Sequence, residues 1–222
     1  MASSPARSRR VTILRAAADL FAARGFHGVS IEDLGRAVGT TGPALYRHFP
    51  GKEALLAAML LDVSERLAAG GRARVAAAAD PEKALAGLLD GHIAFALDEP
   101  ALITVHDREL GNVPPDERRR IRRLQRGYLE QWVQVLAELH PAAPTAALRA
   151  AVHAAFGLLN STPHILGDLP REETARLLHT MGRSALLSVR GAGAGAPTDG
   201  KGPEHVAPGA AGAPGAAPPP PG

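Results

Sequence analysis

The residues best suited to chemistry in this sequence are cationic, and they are unevenly distributed. Residues 1–60 carry eight Arg or Lys against four Asp or Glu, residues 61–190 carry sixteen of each, and the remaining residues carry one against two. The excess positive charge therefore lies at the N-terminal end, although the whole chain has a formal charge of only +3. A basic module joined to a neutral one indicates a polyanion as the partner of the first module and a different partner for the second.

The densest basic run lies farther along the chain, with six arginines between Arg118 and Arg126. An apolar stripe at helical spacing runs along the same segment and is made of Ile121, Leu124, Tyr128, Trp132 and Val135. Most of the arginines are therefore predicted to occupy the opposite, solvated face of a helix. The alternative is a site for an anionic small molecule, such as the phosphate groups of an acyl-coenzyme A.

Several classes of function find little support in the composition. Cysteine is absent, which excludes disulfides, thiolate zinc sites and cysteine nucleophiles and is consistent with a reducing, cytoplasmic location. No Gly-x-Ser-x-Gly elbow or phosphate-binding loop is present, and the histidines lack the spacing of a metal site, so we expect no enzyme, no cofactor and no metal. A helical protein-binding scaffold is a remote alternative, because no period of 20 to 50 residues recurs.

The N-terminus has some features of a secretion signal but lacks a continuous apolar segment. Arg7, Arg9 and Arg10 precede apolar residues, yet Arg15 and Asp19 interrupt them. The longest uncharged apolar run, Ala54 to Leu61, has eight residues, whereas about 20 are needed to cross a bilayer. The sequence therefore predicts neither a signal peptide nor a membrane segment.

The predicted fold class is all-α, because Ala and Leu are abundant while aromatic residues make up only 4%. A first helix is predicted from about Arg7 to Gly25, and a long one from Lys52 toward Gly70 and Gly71, where we place a domain boundary. Later helices are predicted near Pro81 to Leu97, Pro100 to Leu110, Pro115 to Leu139, Pro144 to Thr162 and Pro170 to Val189. Residues 191–222 are rich in Gly, Ala and Pro and are predicted to be disordered.

The segment Ile31 to Phe49 has the pattern of two short helices that cross at a tight turn. Ser30 offers an N-cap oxygen, Gly35 permits close helix contact, Gly39 supplies the turn, and Leu45 fills the angle between the helices. Any pair of hairpin helices can carry a glycine between them, so a purely structural hairpin is the alternative. The preceding helix and the N-terminal charge favour a helix-turn-helix.

Two strings in this region resemble a known family. Residues 39–56, GTTGPALYRHFPGKEALL, closely resemble the recognition helix and the start of the fourth helix of TetR-family repressors, and residues 18–26, ADLFAARGF, resemble their first helix. The resemblance covers roughly residues 7–67. It implies a TetR-type DNA-binding domain over 7–67, with the helix-turn-helix at 30–49, and a helical effector-binding and dimerisation domain over 72–190.

The resemblance also implies DNA contacts for matching residues. Tyr46 and His48 lie at phosphate-contacting positions, Lys52 can add a full charge, and Thr41 can offer a hydroxyl and a helix-terminal amide. Tyr46 packing against the first helix is an alternative. The predicted DNA-binding residues are Ser30, Thr40, Thr41, Gly42, Pro43, Tyr46, Arg47, His48 and Lys52. Because few of these can read a base edge, we expect specificity to rely on DNA shape and backbone contacts.

The second domain is predicted to dimerise through approximately residues 144–189 and to enclose an effector pocket, both by resemblance. The expected dimer face comprises Leu148, Val152, Ala155, Phe156, Leu159, Leu177, Leu178, Met181, Ala185 and Leu186, with burial inside the monomer as the alternative. The expected pocket residues are His92, Phe95, His106, Asp107, Leu110, Tyr128, Trp132, Phe156 and Asn160, with ordinary core packing as the alternative.

Together these features predict a cytoplasmic, nucleoid-associated transcriptional repressor. It would bind a near-palindromic double-stranded DNA operator as a homodimer and be released by a small-molecule effector, for which an acyl-coenzyme A or another lipophilic metabolite is a candidate. A DNA-binding regulator without an effector is the main alternative. The sequence leaves activation or repression, the operator and the target genes open.

Overall fold

The structure is a computed structural model that describes residues 5–165, 167 and 169–189, with side chains from residue 9 onward. These residues form helices and no strand, as the all-α prediction requires. The disorder predicted for residues 191–222 lies outside them. The helices are α1 (Pro5–Arg24), α2 (Ile31–Ala37), α3 (Gly42–Tyr46), α4 (Lys52–Ala77), α5 (Pro81–Asp98), α6 (Pro100–Glu109), α7 (Pro115–Leu139), α8 (Thr145–Leu159), α9 (Thr162–Ile165) and α10 (Arg171–Leu187).

Local sequence signals set most of the helix ends. Gly25 follows α1 with a φ of 72°, a left-handed conformation that stops a helix at little steric cost. Asp80 caps α5 by accepting a hydrogen bond from the Lys83 amide at 2.8 Å. Pro144 and Pro170 are cap residues rather than first-turn residues, so α8 and α10 each begin one residue later than predicted.

Helix α4 does not end at Gly70 and Gly71, where the sequence analysis placed the end of the helix and a domain boundary. It continues to Ala77, and its 26 residues span about 39 Å. Gly71 is buried, and a Cβ there would lie 2.8 Å from the Tyr128 ring of α7. Gly71 therefore marks a close helix contact, and the division between 7–67 and 72–190 stays a prediction.

Two groups of buried side chains form the interior. The N-terminal core joins α1, α2, α3 and the first half of α4, and it also takes Leu102 and Val105 from α6 and Ile121 from α7. The C-terminal core surrounds the fully buried Trp132 and joins α5, α7, α8 and α10. Since α6 contributes to the N-terminal core, the chain beyond residue 72 takes part in holding the helix-turn-helix.

Candidate DNA-binding surface and effector cavity

The crossing of α2 and α3 has the geometry that the sequence pattern predicts. Ser30 and Asp33 form a reciprocal capping box, in which the Ser30 hydroxyl accepts from the Asp33 amide and Asp33 accepts from the Ser30 amide, both at 3.1 Å. Gly39 has a φ of 62°, and Leu45 is only 2% exposed. A Cβ on Gly35 would lie 2.9 Å from the Thr40 carbonyl oxygen, so the two helices cross too closely for any larger residue.

The backbone and side-chain hydrogen bonds of Ser30 also favour the charged form of the Asp33 side chain. Both types of bond stabilise the carboxylate of Asp33 and lower its pKa, with smaller effects from Arg36 and Arg24. The Ser30 hydroxyl in turn donates to Asp33 at 2.8 Å. Ser30 is therefore committed to the cap, and its predicted contact with DNA stays a prediction.

Helix α3 presents an exposed face that contains most of the predicted DNA-binding residues. Thr41 caps the helix through its hydroxyl oxygen, which accepts from the Ala44 amide at 3.4 Å. Tyr46 is 53% exposed, which disfavours the alternative that it packs against α1. The exposed residues are Thr41, Pro43, Tyr46, Arg47 and His48, with Thr40 half-buried beside them.

Gly42 has a different position from the one expected of a DNA-contacting residue. It is buried, and a Cβ on it would lie 3.3 Å from Ile31 of α2. The residue therefore allows the start of α3 to approach α2. The small size that makes Gly42 unable to read a base is explained by helix packing.

Basic residues outside α3 brace the helix-turn-helix through contacts that the sequence analysis missed. Arg9 of α1 donates to the Val38 carbonyl oxygen at 2.8 Å, and Arg10 lies over the Phe49 ring at 4.6 Å. Lys52 Nζ donates to the carbonyl oxygens of Phe26 and Val29 at 2.7 and 2.8 Å. Lys52 thus joins α4 to the segment between α1 and α2, and its predicted phosphate contact stays a prediction.

A cavity of about 590 Å³ lies among α4, α5, α6, α7 and α8. Seven of the predicted pocket residues line it: His92, Phe95, His106, Asp107, Tyr128, Phe156 and Asn160. Two do not. Leu110 packs against the N-terminal core, and Trp132 has no exposed surface and supports the cavity from behind, with its ring centre 5.2 Å from that of Phe156.

The innermost polar group of the cavity is His92, which is 3% exposed. Its ring stacks on Phe156 with centroids 4.8 Å apart and on Tyr128 with centroids 5.9 Å apart. Its Nε2 lies 3.0 Å from Asn160 Oδ1 and its Nδ1 lies 3.3 Å from the Tyr128 hydroxyl. Burial lowers the pKa of His92 to about 4, against a smaller opposing effect of Asn160, and raises the pKa of Tyr128 to about 12.

Basic side chains line another part of the same cavity. Arg122 and Arg126, one turn apart on α7, are exposed and have no carboxylate partner among the described residues. Arg149 of α8 also lines the cavity but pairs with Glu130. Gln125 Nε2 donates to His106 Nε2 at 2.6 Å. The arginine run is therefore divided, since Arg122 and Arg126 line the cavity while others pair elsewhere, as Arg119 does with Asp116.

Helix α6 connects the cavity to the helix-turn-helix. Its residues Leu102, Ile103 and His106 line the cavity. At its end the buried Glu109 accepts from the Phe26 amide at 3.0 Å through Oε1 and from the Asn112 side chain at 2.7 Å through Oε2. One helix thus contacts both the candidate ligand space and the segment that leads from α1 into α2.

The predicted dimer face is divided between interior and surface. Leu148, Val152, Ala155, Leu159, Leu178 and Leu186 are buried inside the chain, so for these residues the alternative interpretation is correct. Leu177 and Met181 of α10 are 45% and 46% exposed, and Ala185 is exposed beside them. On α8 the exposed residues include the small Ala150, Ala154 and Gly157.

Two other properties concern the described part of the chain. Within it no helix has the length and apolar character needed to span a membrane. The same residues contain no group of three or more His, Asp or Glu side chains placed to hold a metal ion.

Two family profiles match separate segments of the chain. Residues 13–59 match the profile of bacterial regulatory proteins of the tetR family, and residues 78–164 match the profile of the tetracyclin repressor-like C-terminal domain. The first profile covers α2, α3 and their surroundings, and the second covers most of the cavity.

Curated relatives resemble parts of the chain. An uncharacterised HTH-type transcriptional regulator of Bacillus subtilis, YdgC, is 36% identical over 58 residues, which are 26% of this chain and 30% of that protein. The HTH-type transcriptional repressor KstR2 of Rhodococcus jostii is 27% identical over 129 residues, or 58% of this chain and 63% of that protein. The similarity thus spans less than two thirds of the length of these relatives.

Solved structures share the fold over most of the chain. A TetR-family transcriptional regulator from Bordetella parapertussis superposes with a TM-score of 0.70 at 24% identity and covers 78% of this chain and 93% of that one. AibR, solved in complex with isovaleryl coenzyme A and operator DNA, has a TM-score of 0.63 at 21% identity, with 78% of this chain and 97% of that one covered. With both profiles matched in chain order on this fold, the chain belongs to the tetR family of bacterial regulatory proteins.

Proposed function

We propose that the protein is a DNA-binding transcriptional repressor that acts as a homodimer and is released from its operator by a small-molecule effector. The observation that carries the proposal is the exposed face of α3, where Thr41, Tyr46 and Arg47 project from a helix whose opposite side is fixed by Leu45 and Phe49. Hydroxyl, phenol and guanidinium groups held on a rigid helix are suited to contacts with the phosphates that border the major groove. Such a regulator would act in the cytoplasm, at the nucleoid.

Recognition of the operator would depend more on DNA shape than on base edges. Gly42 is buried, and Pro43 can offer only an apolar contact to a thymine methyl group. The polar residues expected to reach the groove are then Thr40 and Thr41 at the start of α3 and Arg47 at its C-terminal end. We therefore expect an operator whose spacing and deformability contribute much of the specificity.

A homodimer would form through the exposed faces of α8 and α10. Leu177 and Met181 are among the few large apolar residues of the described chain that remain exposed, and they lie one turn apart. The small residues Ala154 and Gly157 on the exposed face of α8 would allow a partner helix to approach closely. A second copy of this chain is the proposed occupant, because one short helix-turn-helix contacts too few phosphates for useful affinity.

The effector is proposed to be amphipathic and anionic, with an acyl-coenzyme A as the leading candidate. The cavity combines apolar walls with two arginines that lack a carboxylate partner in the described chain, Arg122 and Arg126. Guanidinium groups suit phosphate or carboxylate oxygens, while an acyl chain suits the apolar space. The isovaleryl coenzyme A bound by AibR is consistent with a ligand of this class in a protein of the same fold.

The DNA-binding proposal is tested by selecting genomic fragments that bind the purified protein and measuring their affinity by fluorescence anisotropy. We expect nanomolar binding to a near-palindromic fragment. Tyr46→Ala should weaken binding to the selected fragment and to unrelated DNA by similar factors, because it removes a phosphate contact. Arg123→Ala, on the exposed side of α7, is the control and should bind as the wild type does. Absence of binding to any fragment would refute the proposal.

A further inference from the structure

The cavity contains a polar cluster that the proposed effector class does not use. Its members are His92, Tyr128 and Asn160, which come from α5, α7 and the end of α8 and all line the cavity. Their hydrogen bonds leave specific donors and acceptors unused, and these indicate what a ligand must offer.

The proton of His92 can be placed from its two partners. Asn160 Oδ1 can only accept, so His92 Nε2, 3.0 Å away, carries the hydrogen. A neutral imidazole then has a lone pair on Nδ1, which accepts from the Tyr128 hydroxyl at 3.3 Å. The low pKa of His92, about 4, keeps the ring neutral over the physiological range.

Two groups of the cluster remain available to the cavity. The side-chain amide nitrogen of Asn160 has no hydrogen-bond partner in the described chain and can donate. The Tyr128 hydroxyl donates its hydrogen to His92, and its oxygen has two lone pairs. The indole N–H of Trp132 interacts with one of them, and the other can accept from a ligand. His92 holds both in place, and stacking on Phe156 fixes the plane of its own ring.

We propose that Asn160 and Tyr128, positioned by His92, bind an uncharged oxygen group of the effector, with a hydroxyl preferred over a carbonyl. A hydroxyl accepts from Asn160 and donates to Tyr128, so it satisfies both groups, whereas a carbonyl satisfies only Asn160. A charged group is disfavoured because imidazole, phenol and amide offer no counter-charge. This inference rests on the proposed role of the cavity as an effector site. It adds a neutral polar group to the anionic and apolar groups already proposed for the effector.

Small probes without a charged group test the cluster directly. Phenol and fluorobenzene have almost the same shape, but only phenol can donate and accept a hydrogen bond, and their affinities can be measured by ligand-observed NMR. Tyr128→Phe and Asn160→Leu should each weaken phenol binding about tenfold and change fluorobenzene binding less than twofold. Ser64→Ala is the matched control, since the Ser64 hydroxyl also lines the cavity but already donates to the Leu60 carbonyl oxygen at 2.7 Å.

Three results would overturn the proposal: phenol binding that both variants leave unchanged, equal losses for the two probes, or no binding of either probe to the wild type. A further readout is the ¹⁵N spectrum of His92, which should report a neutral ring with the proton on Nε2. A proton on Nδ1 would reverse the donors and acceptors and also contradict the assignment.

A separate measurement tests the proposal that the effector is an acyl-coenzyme A. Titration with decanoyl-coenzyme A tests the anionic site, where Arg126→Gln should weaken binding and leave the phenol affinity unchanged. If decanoyl-coenzyme A does not bind while the phenol pattern holds, the proposed effector class is wrong and the polar cluster stands.

Discussion

The link between Glu109 and Phe26 gives a prediction whose size follows from the structure. Glu109 is 8% exposed, and its two carboxylate oxygens accept one hydrogen bond each, from the Phe26 amide and the Asn112 side chain. Glu109→Met keeps the length of the side chain but removes both acceptors, so the Phe26 amide loses its partner. A buried donor without a partner costs about 1–3 kcal/mol.

We expect Glu109→Met to lower the free energy of unfolding by about 1–3 kcal/mol in urea denaturation. Hydrogen exchange of the peptide containing Phe26 should also become faster, because the segment between α1 and α2 loses its attachment to α6. Asp107→Met is the matched control, since Asp107 lies on the same helix but is exposed, and His106 is its one hydrogen-bond partner among the described residues. Wild-type stability of Glu109→Met together with unchanged exchange at Phe26 would contradict this prediction.

Three further predictions concern packing, protonation and assembly. Gly35→Ala should destabilise the helix-turn-helix and weaken DNA binding, because the new Cβ would lie 2.9 Å from the Thr40 carbonyl oxygen. Melting followed by circular dichroism measures the stability and fluorescence anisotropy measures the DNA binding, and a variant as stable as the wild type would contradict the prediction. The pKa of His92 falls from 6.5 in the unfolded chain to about 4 in the folded one, so only the unfolded state binds the proton between these pH values. The free energy of unfolding should therefore fall by about 3 kcal/mol as the pH drops from 6.5 to 4. This part of the pH profile should disappear in His92→Leu. Met181→Glu should shift the protein from dimer to monomer in analytical ultracentrifugation, because Met181 is exposed on the proposed dimer face. Thr180→Glu, at the neighbouring exposed residue, should have a smaller effect. A Met181→Glu variant that remains a dimer would show that the interface lies elsewhere.

The helices could be predicted from sequence because their ends depend on neighbouring residues. Proline in the first turn of α5, α6 and α7, the cap at Ser30 and the left-handed glycines act over a few positions along the chain. The helix end predicted at Gly70 and Gly71 was wrong, because the small size of Gly71 serves a contact with α7, which comes much later in the sequence.

The candidate site could be predicted less completely, because lining a cavity is a property of tertiary packing. Trp132 and Tyr128 are one turn apart on α7, yet only Tyr128 reaches the cavity. Lys52 contacts carbonyl groups 26 and 23 residues away, for which the sequence holds no local signal. The position of Arg122 and Arg126 at the cavity could in principle have been predicted, because their spacing of four residues beside the apolar stripe places both at the edge of the buried face.

The central claim, that the exposed face of α3 reads an operator as part of a symmetric pair, is tested most directly by footprinting the protein on a selected DNA fragment. We expect two protected half-sites related by a near-palindrome, with centres separated by about one helical turn of DNA or a multiple of it. Protection should be lost in Tyr46→Ala and retained in Arg123→Ala. A single unrepeated half-site, or a footprint that survives Tyr46→Ala unchanged, would contradict the account.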